Sequence, residues 1–382
     1  MAKLGDYIEQ IRGVSYKPTD LHDSLKEESV TLLRANNIQD GHIAVDEVVY
    51  VAKNKVVAKQ YLKKGDILIC TSSGSKELVG KAAYIEENMP MTFGAFCKVI
   101  RPKTECPKYI GHFFQSPYYR RCISDLSAGA NINNIRNEHI EGLEIPLPPL
   151  DEQRRIATVL DKVSGLIAKR REQLDKLDEL VKARFVEMSA NWKGHSREEP
   201  MSNYLEDITY GFTNPMPDAD EGPWKITAKD IVDGKINYST ARKTDRKAFE
   251  NLTAKSKPVI GDVLLTKDGT LGRVAVVEQG NICVNQSVAV LRCNKRILPK
   301  FLMYLLKMPQ YQREMLANSG GGTIKHIYIT KVDKMLIAVP ELDSQKEFID
   351  FTSQIDKSKL TIQQSLDKLE VLKKALMQQY FG

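Results

Sequence analysis

The chain contains itself twice, and this constrains its fold more than any other feature of the sequence. Lys108-Tyr109-Ile110, Phe113-Phe114, Pro117, Tyr119 and Arg121 recur as Lys300-Phe301-Leu302, Leu305-Leu306, Pro309, Tyr311 and Arg313, a shift of 192 residues. The same shift takes Ser127, Gly129, Ile132 and Ile135 onto Ser319, Gly321, Ile324 and Ile327, and Ile145-Pro146-Leu147-Pro148 onto Ile337-Ala338-Val339-Pro340. It also carries Leu150-Asp151 and Gln153 onto Leu342-Asp343 and Gln345, and Leu174-Asp175-Lys176-Leu177 onto Leu366-Asp367-Lys368-Leu369. Upstream, with small changes of register, Gly65-Asp66-Ile67-Leu68 answers Gly261-Asp262-Val263-Leu264, and Asp40-Gly41 answers Asp233-Gly234. A chain of 382 residues built this way predicts two copies of one unit, each large enough to bury its own core.

Each unit has two parts. The first has Asp-Gly turns between apolar positions, short alternating strands such as 273–277 and 288–291, and one helix near 108–125 or 300–317. In the second, over 151–188, apolar residues step by four and three: Ile156, Leu160, Val163, Ile167, Leu174, Leu177, Val181 and Met188, broken at Arg170 and Arg184. Over 343–380 the seam is Phe348, Ile355, Ile362, Leu366, Leu369, Leu376 and Tyr380, broken at Thr352, Lys359 and Lys373. Both stretches predict long coiled-coil helices. Pro148-Pro149 and Pro340 stop the strand before each, and Asp151 and Asp343 suit the positive end of the helix dipole.

The expected class is therefore α+β: two similar mixed α/β domains joined by two long antiparallel coiled-coil helices as a pseudo-two-fold tandem repeat. The expected boundaries are 1–147 and 201–339 for the domains, 148–190 and 340–382 for the helices, and 191–200 for a linker. Antiparallel pairing follows from connectivity. A helix of this length extends roughly 57 Å, whereas a domain of this size has a radius of gyration of about 14 Å, too small to return the chain to a parallel start.

No apolar run approaches the roughly 20 residues of a membrane span, and the first ten residues lack a secretory core, so a cytoplasmic protein is expected. The six cysteines form no C-x-x-C pair, which argues against a metal site. The net charge of +7 is concentrated in 201–340, where basic residues exceed acidic ones by six, favouring a polyanionic partner.

Two domains related by an approximate dyad match duplex DNA. Basic residues fall at matching places before the two Gly-Asp pairs: Lys53, Lys55 and Lys59 in one copy, and Arg242, Lys243, Arg246 and Lys247 in the other. Such charges neutralise phosphates without reading sequence. Loops rich in donors and acceptors also match. Thr266, Lys267, Asp268, Thr270 and Arg273 answer Thr71, Ser72, Ser73 and Lys76; Thr323, Lys325 and His326 answer Asn131 and Asn133. Lys and Arg pair with guanine edges and Asn with adenine. The loops diverge more than the helices, so the two copies are expected to read different bases.

The run Ile145-Pro146-Leu147-Pro148-Pro149-Leu150-Asp151-Glu152-Gln153-Arg154-Arg155-Ile156, with its helix ending Leu177-Asp178-Glu179-Leu180-Val181, resembles the central region of the specificity subunits of type I restriction-modification systems. The stretch from Ile337 to Gln345 resembles the distal one, with Ser344 and Lys346 where the first copy has Glu152 and Arg154. The resemblance implies a non-catalytic subunit without a cofactor of its own. Its two target-recognition domains would read half-sites of double-stranded DNA, and its coiled coil would set their spacing. That coil would dock two methyltransferase subunits, which recruit motor-nuclease subunits. A methyltransferase itself would need a Gly-rich cofactor loop and an Asn- or Asp-Pro-Pro-aromatic motif, and neither is found. Asp218, Asp220, Asp233 and Lys235 superficially suit a metal nuclease, but Asp233-Gly234 reads better as a hairpin turn. A stand-alone repressor would share the DNA surfaces and need no partner.

Overall fold

The computed structural model describes residues 1–22, 24–75, 77–128, 134–192, 198–317, 319–320 and 325–382. The chain divides into two units, one made of 1–172 with 362–382, the other of 173–361. Each long helix therefore contributes to both.

The first unit holds an antiparallel sheet in the order Ile8–Arg12, Cys97–Pro102, Ile67–Cys70, Ala82–Tyr84. The second unit repeats it with Leu205–Tyr210, Val288–Cys293, Val263–Thr266 and Val274–Val276. A second sheet in each unit contains one parallel pair, Met91–Phe93 beside Ser29–Leu33 and Ile282–Val284 beside Ala219–Ile226. The repeat in sequence is thus a repeat in topology.

Alternation is not what marks the central strands. Ile67–Cys70 and Val263–Thr266 are buried at every position, because helices cover one face and loops and the second sheet cover the other. Nor is there one helix after the sheet. Pro117 and Pro309 lack the N–H to continue a helix but suit the first turn of a new one, so the chain forms Pro107–Phe113 then Pro117–Ala128, and Pro299–Lys307 then Pro309–Ala317.

The Asp-Gly turns are as expected. Asp40 and Gly41 have φ of 48° and 84°, Asp233 and Gly234 of 50° and 85°, the left-handed pair that a two-residue hairpin requires. Ile38–Gln39 pairs with His42–Ile43, and Ile231–Val232 with Lys235–Ile236. Asp233 is thus a turn residue, while Asp218 is bound by Lys225 and by Arg242 at 2.6 Å, two cations that hold its carboxyl below the usual range. The Gly-Asp pairs are structural too. Arg101 donates twice to buried Asp66, both at 2.7 Å, and Arg292 does the same to Asp262 at 2.9 and 2.8 Å.

The long helices span Leu150–Trp192 and Leu342–Phe381. In the first unit Leu160, Met377 and Phe381 join the core around Tyr109 and Phe113; in the second Phe185, Met188 and Phe348 join that around Phe301 and Leu302. The seam is buried at Ile156, Leu160, Val163, Ile167, Val181, Ile355 and Leu366, and half-buried at Leu174, Leu177, Ile362, Leu369 and Leu376. Three of its polar interruptions reach across to the other helix. Arg170 Nε donates to Ser365 Oγ at 3.2 Å, Arg184 Nη2 to Glu347 at 2.7 Å, and Lys359 pairs with Asp178. Within each unit the two helical segments run antiparallel: Arg155 meets Tyr380 and Arg170 meets Ser365 in the first, while Asp178 meets Lys359 and Arg184 meets Glu347 in the second. Among the described residues no helix is long and apolar enough to cross a membrane.

Candidate nucleic-acid interface

In both units the central strand of the main sheet runs into a loop, and a second loop from beyond the paired helices closes on it. Ile327 N donates to Lys267 O at 2.8 Å, and Asp268 bridges His326. In the first unit Ile135 N donates to Thr71 O at 2.7 Å, and Ser72 bridges Asn134. The two loops that the sequence singled out separately are therefore joined, in the same way, twice.

The loops in the second unit are held by their own side chains. Thr266 is fully buried and its Oγ1 accepts from Arg273 N at 2.9 Å, closing the turn. Asp268 accepts from Lys267 Nζ at 2.8 Å and lies 2.7 Å from His326 Nδ1. Lys267 Nζ also stands 5.4 Å from the ring centre of exposed Tyr210, a residue sequence reasoning missed. Arg273 Nη1 donates to Ile231 O at 3.2 Å beside the Asp-Gly turn. Thr270 and Lys325 are exposed.

In the first unit Thr71 is buried and its hydroxyl donates to Phe96 O at 3.1 Å, while Ser72 and Ser73 are half-buried. The Ser73 hydroxyl accepts from Ser75 N at 3.2 Å. The extra residues before Gly80 are pinned by Arg120, whose Nη1 donates to Val79 O at 2.9 Å. Lys76, Asn131, Asn133 and Thr323 lie outside the described residues. A cavity of about 360 Å³ opens beside this loop, lined by Tyr16, Arg34, Asn36, Ser72, Ser73 and Phe96 among others. None of its Tyr16, Arg34, Asn36 and Phe96 carried a sequence signal of its own.

The basic residues sit on other segments. Lys53 is exposed, Lys55 pairs with Asp20 at 3.4 Å, and Lys59 pairs with Glu9 at 3.1 Å, holding that carboxyl below its usual range. Lys243 Nζ lies 4.8 Å from the ring centre of Trp224, next to a cavity of about 440 Å³ that Arg242 and Asp218 also line. Arg246 and Lys247 are exposed on the short helix Arg246–Glu250, capped by Asp245, which accepts from Ala248 N at 2.8 Å. All of these charges are solvent-facing or exchangeable for a phosphate partner at small cost, because exposed ion pairs contribute about 1 kcal/mol or less.

Among the described residues no group of His, Cys, Asp and Glu is placed to hold a metal ion. Cysteines are packed as apolar residues: burial pushes the thiol of Cys97 up to about 12 and that of Cys283 to about 11.

A family model described as the type I restriction modification DNA specificity domain matches residues 4–178 and 216–373. Over 371 residues the chain is 28% identical to the type I restriction enzyme EcoKI specificity subunit of Escherichia coli (strain K12), covering 90% of this chain and 79% of that one. Over 173 residues it is 42% identical to the type I restriction enzyme StySPI specificity subunit of Salmonella potsdam, which is 45% of this chain and 37% of that one. Among solved structures, the S subunit of the type I restriction-modification system from M. genitalium aligns over 100% of this chain and 95% of its own, with a TM-score of 0.52 at 15% identity. A chain from a type I system solved to explain complex assembly and conformational transition aligns over 100% and 99%, with a TM-score of 0.53 at 19% identity. These two likenesses are of fold.

Proposed function

Because the chain belongs to the type I restriction-modification DNA specificity family, we propose that its two units read the two halves of one bipartite, asymmetric duplex site. The chain is a specificity subunit; in this family catalysis lies in other subunits. The observation that carries the bipartite reading is the doubled pair of joined loops. One backbone scaffold presents Ser72 and Ser73 in the first unit and Lys267, Asp268 and His326 in the second. Equal scaffolds with unequal side chains suit unequal half-sites, since base edges are distinguished by donor and acceptor pattern.

In this reading residues 1–147 and 201–339 are the recognition domains. Lys53, Lys55, Lys59, Arg242, Lys243, Arg246 and Lys247 hold phosphates, and the loop side chains face base edges. The helices over 148–190 and 340–382 set the half-site spacing and dock two methyltransferase subunits, through which motor-nuclease subunits join in the cytoplasm. Exposed Leu180, Val186, Leu360, Val371 and Leu372 on the outer surfaces of these helices support a protein partner there, because apolar side chains left in water on a helix gain by being covered.

The test is the methylation motif of complexes carrying substituted loops. Alanine at Lys267, Thr270 and Arg273 is expected to change one half of the motif, and alanine at Ser72, Ser73 and Lys76 only the other. A set that alters both halves overturns the division.

A further inference from the structure

Phe96 is 65% exposed, yet its backbone is among the most firmly held in the loop region. Its carbonyl accepts from Thr71 N at 2.9 Å, Ser72 N at 3.1 Å and Thr71 Oγ1 at 3.1 Å. In the second unit the same backbone position is Ser287, whose carbonyl accepts from Lys267 N at 2.9 Å and Asp268 N at 3.4 Å. The scaffold is shared and the side chain is not: a large apolar ring stands in one unit where the other has a hydroxyl.

A ring held in water on a fixed backbone, beside a recognition loop, lies outside the hydrophobic clusters of its unit. It forms one wall of the cavity of about 360 Å³ that Tyr16, Arg34, Asn36, Ser72 and Ser73 also line. Arg34 Nε makes no hydrogen bond there and brings positive charge to the wall, which suits a duplex carrying one negative charge per about 1.7 Å of axis. On the major-groove edges of the four base pairs the apolar group is the 5-methyl of thymine, and phenylalanine is among the side chains that contact it.

We propose that Phe96 is a specificity-determining residue of the first unit, reading the 5-methyl group of a thymine in its half-site from this cavity. The proposal rests on the reading of the two units as half-site readers. Ser287, at the same place, has no apolar surface to offer, so the second half-site lacks this contact.

The experiment uses the full complex and duplexes of its mapped site, with each thymine in turn replaced by deoxyuridine, which removes only the methyl. One substitution, in the half-site assigned to the first unit, is expected to weaken binding about fourfold, the effect of one buried methyl. Phe96→Ala is expected to bind the unmodified site correspondingly less tightly and to lose that sensitivity, and Phe96→Leu to retain part of it. No deoxyuridine effect in that half-site, an effect that persists in Phe96→Ala, or a half-site without thymine overturns the proposal while the bipartite reading stands. Failure of the loop substitutions to separate the two halves overturns the bipartite reading and this proposal with it.

Discussion

Gln153 and Gln345 occupy the same place in the two copies, one turn into each long helix, yet they are not held alike. Gln345 is fully buried: Nε2 donates to Pro340 O at 2.8 Å and Arg296 O at 2.9 Å, and Oε1 accepts from Leu298 N at 2.8 Å. Gln153 reaches Pro148 O at 2.8 Å, and its buried Oε1 has no partner. A lost partner costs most where it leaves buried groups unsatisfied. Gln345→Leu is therefore expected to lower unfolding stability by about 3 kcal/mol and Gln153→Leu by about 1 kcal/mol. Denaturant midpoints of the two variants check this, and a costlier Gln153→Leu contradicts it. The recurrence of this glutamine was legible in the sequence, but its task was not, because spacing does not reveal which carbonyl a side chain reaches. Phe96 was illegible for a related reason. Phe93, three residues before it, is fully buried, and an apolar residue in a strand-rich stretch reads as core until burial is known. The available signal was its mismatch with Ser287 across the two copies.

At the scale of elements, the helices were legible because a four-three apolar period persists over many turns, and the hairpins because Asp-Gly tolerates positive φ. The break between the paired helices after each sheet was announced by Pro117 and Pro309, but a proline at the first turn and one in an interior look alike until the preceding turn is seen. The seam's interruptions have become its register marks: Arg170 with Ser365 in the first unit, and Arg184 with Glu347 and Lys359 with Asp178 in the second, fix the alignment of the helical segments within each unit. Deleting one heptad from each helix, 167–173 with 359–365, removes Arg170 and Ser365 together, takes Lys359 from Asp178, and keeps the seam in phase. Each helix shortens by about 10.5 Å. With base pairs about 3.4 Å apart, the gap between half-sites in the methylation motif is expected to shrink by roughly three base pairs, each half keeping its sequence. Deletion from one helix alone removes Arg170 or Ser365 and leaves the other without this contact, puts the two helices out of step by a heptad, and is expected to abolish methylation. An active double deletion with an unchanged gap shows that the helices do not measure spacing.

At the scale of the whole molecule, sequence order and structural unit do not coincide. Phe381 is 1% exposed, its ring centre 5.2 Å from that of Tyr109 and 5.9 Å from that of Phe113, so the core of the first unit closes around a residue from the far end of the chain. Phe381→Ala is expected to cost about 3–5 kcal/mol, as large-to-small changes at buried aromatics do. The loss should be local to the first unit. Hydrogen exchange is expected to quicken in 107–126 while the strand Val288–Cys293 keeps its protection, and uniform loss in both units contradicts the assignment. The same feature bears on how the molecule is made. During synthesis residues 362–381 leave the ribosome after all of the second unit, so the nascent first unit must wait with Tyr109 and Phe113 unsheltered while some 190 later residues are added. A message cut short within the second half therefore leaves Tyr109 and Phe113 without the Phe381 ring that packs against them.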